Sequence, residues 1–115
     1  MFRKPKGIAD DKLGIPQGTL HLLILTIVRR EPLHGYGIAQ RLQSLTNGAF
    51  QINPGSLFPA LYALERDAML RCEERSSENN RKARYYRITT EGRGQLKAES
   101  ARLLRYAATL TAILG

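Results

Sequence analysis

Arg81, Lys82, Arg84 and Arg87 bring four cations into a stretch with no acid between Asn79 and Thr90. The arginine fork pairs phosphate oxygens two at a time and is weakly hydrated, so the stretch suits an anionic polymer. A loop carrying such side chains can straddle a sugar-phosphate backbone or enter a narrow, electronegative minor groove. It can also serve as a charged strand edge that prevents aggregation, and both roles can hold together. Glu73, Glu74 and Glu78 lie close enough in sequence to neutralise part of the patch.

A second constellation is uncharged. Asn53-Pro54-Gly55-Ser56 reads as a helix entry: Asn53 caps, and Pro54 takes the first helical position, where a missing N–H costs nothing. Gly55 and Ser56 allow close backbone approach, and free N–H groups at a helix start suit phosphate. Phe58, on the outward side, can touch a thymine methyl group or pack on a neighbour. Other reactive types are scattered. His21 and His34 read as packing or capping groups, Cys72 as a buried strand thiol, and Tyr106 as a cover for a helical seam or the wall of a ligand pocket. No nucleophile motif, phosphate loop, paired carboxylates in a cleft or metal-ligand cluster is found. Catalysis, a metal and a cofactor are therefore not expected.

The elements that position these residues follow from punctuation and periodicity. A basic arm over 1–15, with Lys4, Lys6 and Lys12, precedes a helix from Gln17 or Thr19 to Arg30. That helix is apolar nearly all round, through Leu20, Leu23, Ile24, Ile27 and Val28, and predicts central burial. A turn at Leu33–Gly37 leads to a second helix ending near Leu45. The third helix runs from Asn53 to about Ala68, with Leu57, Leu61, Leu64 and Ala68 inward and Pro59 within its first turn. Leu70–Arg75 and Ala83–Thr89 read as two strands, with Tyr86 and Ile88 facing the core. Thr90 reads as the cap of a last helix reaching Leu114, about 36 Å long at ~1.5 Å per residue. Leu96, Ser100, Leu103, Ala107, Leu110 and Leu114 repeat along it at heptad spacing. The fold class is thus mainly α with a small β-hairpin, a winged helix-turn-helix over 16–89 followed by a long helix over 90–115. The seam calls for a partner, and a second copy is the simplest one.

Composition agrees. The chain has 115 residues and a net charge of +8, with 18 basic residues, mostly arginine, against 10 acidic ones. This excludes a two-domain enzyme and favours double-stranded nucleic acid as partner. The single cysteine fits a reducing cytoplasm, the N-terminus lacks the apolar core of a secretory signal, and no apolar run is long enough to span a membrane.

Gly18-Thr19-Leu20, Leu33-His34-Gly35-Tyr36, Gly55-Ser56-Leu57-Phe58-Pro59-Ala60-Leu61, Leu64-Glu65, Tyr85-Tyr86-Arg87-Ile88-Thr89 and Glu91-Gly92-Arg93 together resemble the PadR family of bacterial transcriptional regulators. The likeness spans about residues 18–94, and the single last helix is similar to the family's short form. The resemblance implies a homodimeric repressor of palindromic operators. It implies that Tyr36, Ser56 and Phe58 lie at or near DNA, and that the loop with Asn80, Arg81 and Lys82 is the wing. Position 58 departs from the family's usual tyrosine, which removes a hydroxyl that could bond phosphate. It further implies release by a small effector, such as a phenolic acid or flat aromatic drug held between dimerisation helices. Stacking on indole is excluded because the chain has no tryptophan.

The expected DNA contacts are therefore Tyr36, Asn53, Gly55, Ser56, Phe58, Asn80, Arg81, Lys82 and Arg84. The expected dimer contacts are Leu96, Leu103, Ala107, Leu110 and Leu114. Two rival classes stand beside this reading. One is a sensor or sequestering protein for aromatic molecules with a minor DNA role. The other is an adaptor that uses its last helix on a different chain.

Overall fold

Helix α1 (Gln17–Arg30) is the hub of the core: Leu20, Ile24, Leu25, Ile27 and Val28 are all buried. Strand β1 (Leu33–His34) and helix α2 (Gly35–Leu45) follow, then helix α3 (Pro54–Arg66), strands β2 (Leu70–Ser76) and β3 (Lys82–Ile88), and helix α4 (Thr90–Leu114). The computed structural model describes residues 14–50, 52–76 and 79–115. The expected N-terminal lysine contacts and Glu78 lie outside the described residues.

The sheet has three strands in the order β1-β3-β2, all neighbours antiparallel. The expected two-stranded hairpin is present, but Leu33 and His34 add a third strand opposite Tyr86 and Tyr85. Two residues are too few to show strand alternation, so only pairing in space reveals them. In the hairpin, Leu70 faces Ile88 and Cys72 faces Tyr86. Leu70, Tyr86 and Ile88 are buried against the helical core, while Tyr85 and Arg87 lie on the other face, as the alternation predicts.

Three helix boundaries differ from expectation, and the first is that α2 begins at Gly35, inside the expected turn. Helix α3 stops at Arg66, and Ala68 is exposed at φ 63°. The Met69 N–H donates to the Leu64 carbonyl at 2.8 Å and the Ala68 N–H to that of Glu65 at 3.0 Å. This is a Schellman ending with alanine where glycine is usual. Pro59 falls in the second turn rather than the first. It removes the N–H that would bond the Gly55 carbonyl, and the helix continues because Leu57, Ala60, Leu61 and Leu64 are held in the core.

Helix α4 is capped by Thr89, one residue before the expected Thr90. The Thr89 hydroxyl accepts from the Gly92 N–H at 2.9 Å and donates to the Ala68 carbonyl at 2.6 Å, which fastens the helix start to the end of α3. Gly92 lies so close that a Cβ there would fall on the Met69 carbonyl oxygen and within 2.9 Å of Ile88 Cγ1. Leu96 is 4% exposed and joins the core of its own protomer. It is therefore removed from the expected dimer seam: α4 packs on α1 at this level, and the first heptad position is used within the chain. Beyond Leu103 every residue of α4 is exposed, and the molecule reaches 51 Å along its longest axis.

Candidate nucleic-acid interface

The first turn of α3 is built by its cap. The Asn53 side-chain oxygen accepts from the Ser56 N–H at 3.0 Å, in extended backbone (φ −92°, ψ 159°). Asn53, Gly55 and Ser56 are exposed, while Leu57 turns into the core. The helix therefore presents an uncharged, polar edge with its Ser56 hydroxyl outward. Phe58 is half exposed at 53%, and its ring edge lies 3.2 Å from where a Cβ of Gly35 would be. The small residue in the His-Gly-Tyr segment thus leaves room for the Phe58 ring.

His34 caps α2 through Nδ1, which accepts from the Gly37 N–H at 2.9 Å. Its ring meets Tyr85 edge-on at 5.2 Å and lies 6.4 Å from the Tyr36 ring. This capping role is the expected one. Tyr36 is 69% exposed, and its hydroxyl accepts from Gln40 Nε2 at 3.2 Å.

The hairpin tip carries Asn80, Arg81 and Lys82, all exposed. Asn80 has φ 59°, a left-handed turn that asparagine tolerates better than most residues. Further down the hairpin Arg75, Arg84 and Arg87 are paired with acids. Glu73 receives Arg75 (Nε 2.9 Å) and lies 3.5 Å from Arg87. The hydrogen bond from Arg75, then the charges of Arg75 and Arg87, hold the Glu73 carboxyl below its ordinary range. Arg75 also lies over the Tyr85 ring at 5.2 Å.

Arg84 meets an acid outside the three expected to neutralise part of the patch. Its terminal nitrogen reaches both carboxylate oxygens of Glu65 on α3, at 3.0 and 3.2 Å. The two residues are 19 apart in sequence, so spacing gives no hint of the pair.

A cleft of about 860 Å³ opens between α3 and β3, lined by Tyr36, Phe58, Tyr62, Glu65, Arg66 and Arg84 among others. Tyr62, 67% exposed, was not among the expected site residues. The signal was available: Phe58, Tyr62 and Arg66 stand four residues apart and form one outward stripe. The structure thus brings Tyr36, Phe58 and Arg84 to one cleft, with Asn53, Gly55 and Ser56 on the first turn of the helix that lines it.

A second groove, about 630 Å³, lies between α1 and α4 and includes His21, Leu22, Leu25, Leu103 and Tyr106. His21 Nε2 is buried there without a hydrogen-bond partner among the described residues. Burial lowers the His21 pKa, and the charge of Asp67 partly opposes this. Cys72 is half-buried, and its thiol is pushed up by desolvation. A raised thiol is mostly protonated and a poor nucleophile. No group of three or more potential ligands gathers to hold a metal among the described residues. No helix there is long and apolar enough to cross a membrane.

Comparison with known proteins matches this arrangement. The sequence profile of the transcriptional regulator PadR-like family matches residues 24–98. The transcriptional regulator Rv3488 of Mycobacterium tuberculosis is 34% identical over 80 residues, covering 70% of this chain and 71% of that protein. The transcriptional regulator YqjI of Escherichia coli is 33% identical over 57 residues, which cover 50% of this chain but only 28% of YqjI. Among solved structures, smu.1704 from Streptococcus mutans superposes with a TM-score of 0.79 at 24% identity, covering 89% of this chain and 92% of that one. A PadR-like transcription factor from Bacteroides fragilis gives 0.70 at 26% identity, covering 84% and 91%. With the profile match spanning most of the winged domain, the chain belongs to the PadR-like family of transcriptional regulators.

Proposed function

We propose that the protein is a homodimeric repressor that binds palindromic operator DNA in the cytoplasm. The observation that carries this reading is the exposed, uncharged first turn of α3, flanked by a hairpin with a cationic tip. In helix-turn-helix proteins the start of the second helix of the motif meets base edges in the major groove. Here Asn53, Gly55, Ser56 and Phe58 take that position, and Tyr36 stands beside them. Asn80, Arg81 and Lys82 act as the wing on the backbone and supply salt-sensitive affinity.

The dimer in this proposal forms through α4. Leu103, Ala107, Leu110 and Leu114 remain available on the last helix once Leu96 is committed to its own core. Two recognition helices then sit one DNA turn apart, about 34–36 Å. An operator covered in this way is closed to other proteins, which is the simplest route to repression.

The α1–α4 groove supports a second reading, in which the chain is first a sensor for small aromatic molecules. Apolar walls from Leu22, Leu25 and Leu103, with Tyr106 at the edge, suit a flat ligand. In the leading reading the same groove holds an effector that releases the operator.

Selection of bound fragments from a random DNA pool at physiological salt tests these readings. The expected result is an enriched palindrome with half-sites one helical turn apart. No preference over random DNA, together with tight binding of an aromatic dye, would overturn the repressor reading in favour of the sensor.

A further inference from the structure

We infer that Glu65 attenuates the protein's hold on the DNA backbone by neutralising Arg84 inside the cleft between α3 and β3. The inference rests on the DNA-binding reading above and adds a residue that acts against affinity. Five observations support it.

The cleft lies between the outward stripe of α3 and strand β3, which runs from the cationic tip. A strand of DNA lying across both must pass over it. Its exposed walls are suited to a phosphodiester chain: Tyr36 and Tyr62 offer hydroxyl groups, and Arg66, paired with Asp67 at 3.2 Å outside the lining, borders it. Glu65 is the one acid in this lining. It engages Arg84 through both carboxylate oxygens.

Both side chains of the pair are substantially solvent-accessible, at 57% for Arg84 and 35% for Glu65. Exposed ion pairs contribute little to folding, so stability alone does not account for an acid here. Its electrostatic effect on a bound polyanion is larger. Arg84 and Glu65 together carry no net charge. Whether Arg84 stays on Glu65 or turns to a phosphate, the cleft neutralises one phosphate fewer than its arginines would allow. Affinity that is not supplied by the backbone must come from the base-reading turn at Asn53–Phe58. Glu65 therefore limits binding that is indifferent to sequence.

The test is the salt dependence of binding to a random-sequence duplex, followed by fluorescence anisotropy. Glu65→Gln removes the charge and keeps an oxygen that can accept from Arg84, so the link between α3 and β3 is retained. The expected result is tighter binding and a slope of log K against log salt steeper by about 0.9. That amounts to an additional ~3.5-fold change in affinity across a fourfold change in salt. Adding Arg84→Gln to that variant should return the slope to the wild-type value.

The matched control is Glu31→Gln. It removes the acid from a comparable exposed pair, Glu31–Arg41 at 3.1 Å, which does not line the cleft. Its slope should stay unchanged. Glu65→Ala provides a second removal of the charge, with the same steepening expected, and thermal melting checks that each variant is folded. Equal steepening by Glu31→Gln and Glu65→Gln would overturn the inference, because net charge alone would then explain both. Unchanged slopes in both Glu65 variants would overturn it while leaving DNA binding intact. Absence of salt-dependent DNA binding by the wild type would overturn the DNA-binding reading itself.

Discussion

His21 illustrates what a single side chain costs when its surroundings are formed by two helices. It lines the groove between α1 and α4, its Nε2 without a partner among the described residues, and burial lowers its pKa against the opposing pull of Asp67. The unfolded chain then takes up a proton more readily than the folded one. The stability tied to the neutral ring is fully present above the ordinary histidine value of about 6.5. It is lost as pH falls through that value toward the lower folded one. Melting temperatures of the wild type and of His21→Gln, measured from pH 8 to pH 5, should therefore diverge, with the variant showing the flatter decline. Parallel curves would mean that the ring titrates normally. Gly92 and Ala68 carry local constraints of a steric kind. The first admits no side chain beside the Met69 carbonyl, and the second holds alanine in a left-handed turn.

At the scale of elements, the hairpin divides its cations by position. On the strands Arg75 and Arg87 share Glu73 and Arg84 is tied to Glu65 of α3, whereas Arg81 and Lys82 stand exposed at the tip. Counting arginines therefore overstates the charge the hairpin can offer a backbone. If the tip supplies two phosphate contacts, replacing Arg81 and Lys82 with alanine should flatten the salt slope by about 1.8. The loss should be nearly uniform across DNA sequences, since phosphate contacts position and do not specify. Equal salt slopes for wild type and variant would remove the tip from the interface. Helix α3 divides in a comparable way. Its first turn is uncharged, and its later turns carry Tyr62, Glu65 and Arg66.

At the scale of the whole molecule, α4 is exposed from Leu104 to Leu114 among the described residues. Ile113 and Leu114 are 73% and 80% exposed, and Leu104 and Tyr106 are similarly uncovered. Apolar exposure of this kind on one helix suits the dimer proposed above. The two ends of the heptad pattern are expected to respond differently to mutation. Leu110→Glu should abolish the proposed dimer while the winged domain keeps its fold, as read by sedimentation and circular dichroism. Leu96→Ala should instead destabilise the protomer core by about 2–5 kcal/mol. A dimer that survives Leu110→Glu would place the association surface elsewhere.

Much of this architecture is written locally. Asn53-Pro54 starts α3, the alternation through Tyr86 and Ile88 orients β3, and the apolar surround of α1 puts it at the centre. Each of these depends on neighbours within a turn or a strand, so the sequence alone determines them. The motifs of the His-Gly-Tyr and Gly-Ser-Leu-Phe segments are contiguous as well, and with them the likeness to the PadR family was readable before any coordinates. The features that only the tertiary structure decided join positions far apart in the chain. Leu33 and His34 become a strand only opposite Tyr86 and Tyr85. Leu96 leaves the seam because the core of its own protomer claims it, and Thr89 caps α4 while bonding the end of α3. Arg84 pairs with Glu65, nineteen residues away. Periodicity records which way a side chain points, whereas its partner is fixed only when the chain closes on itself.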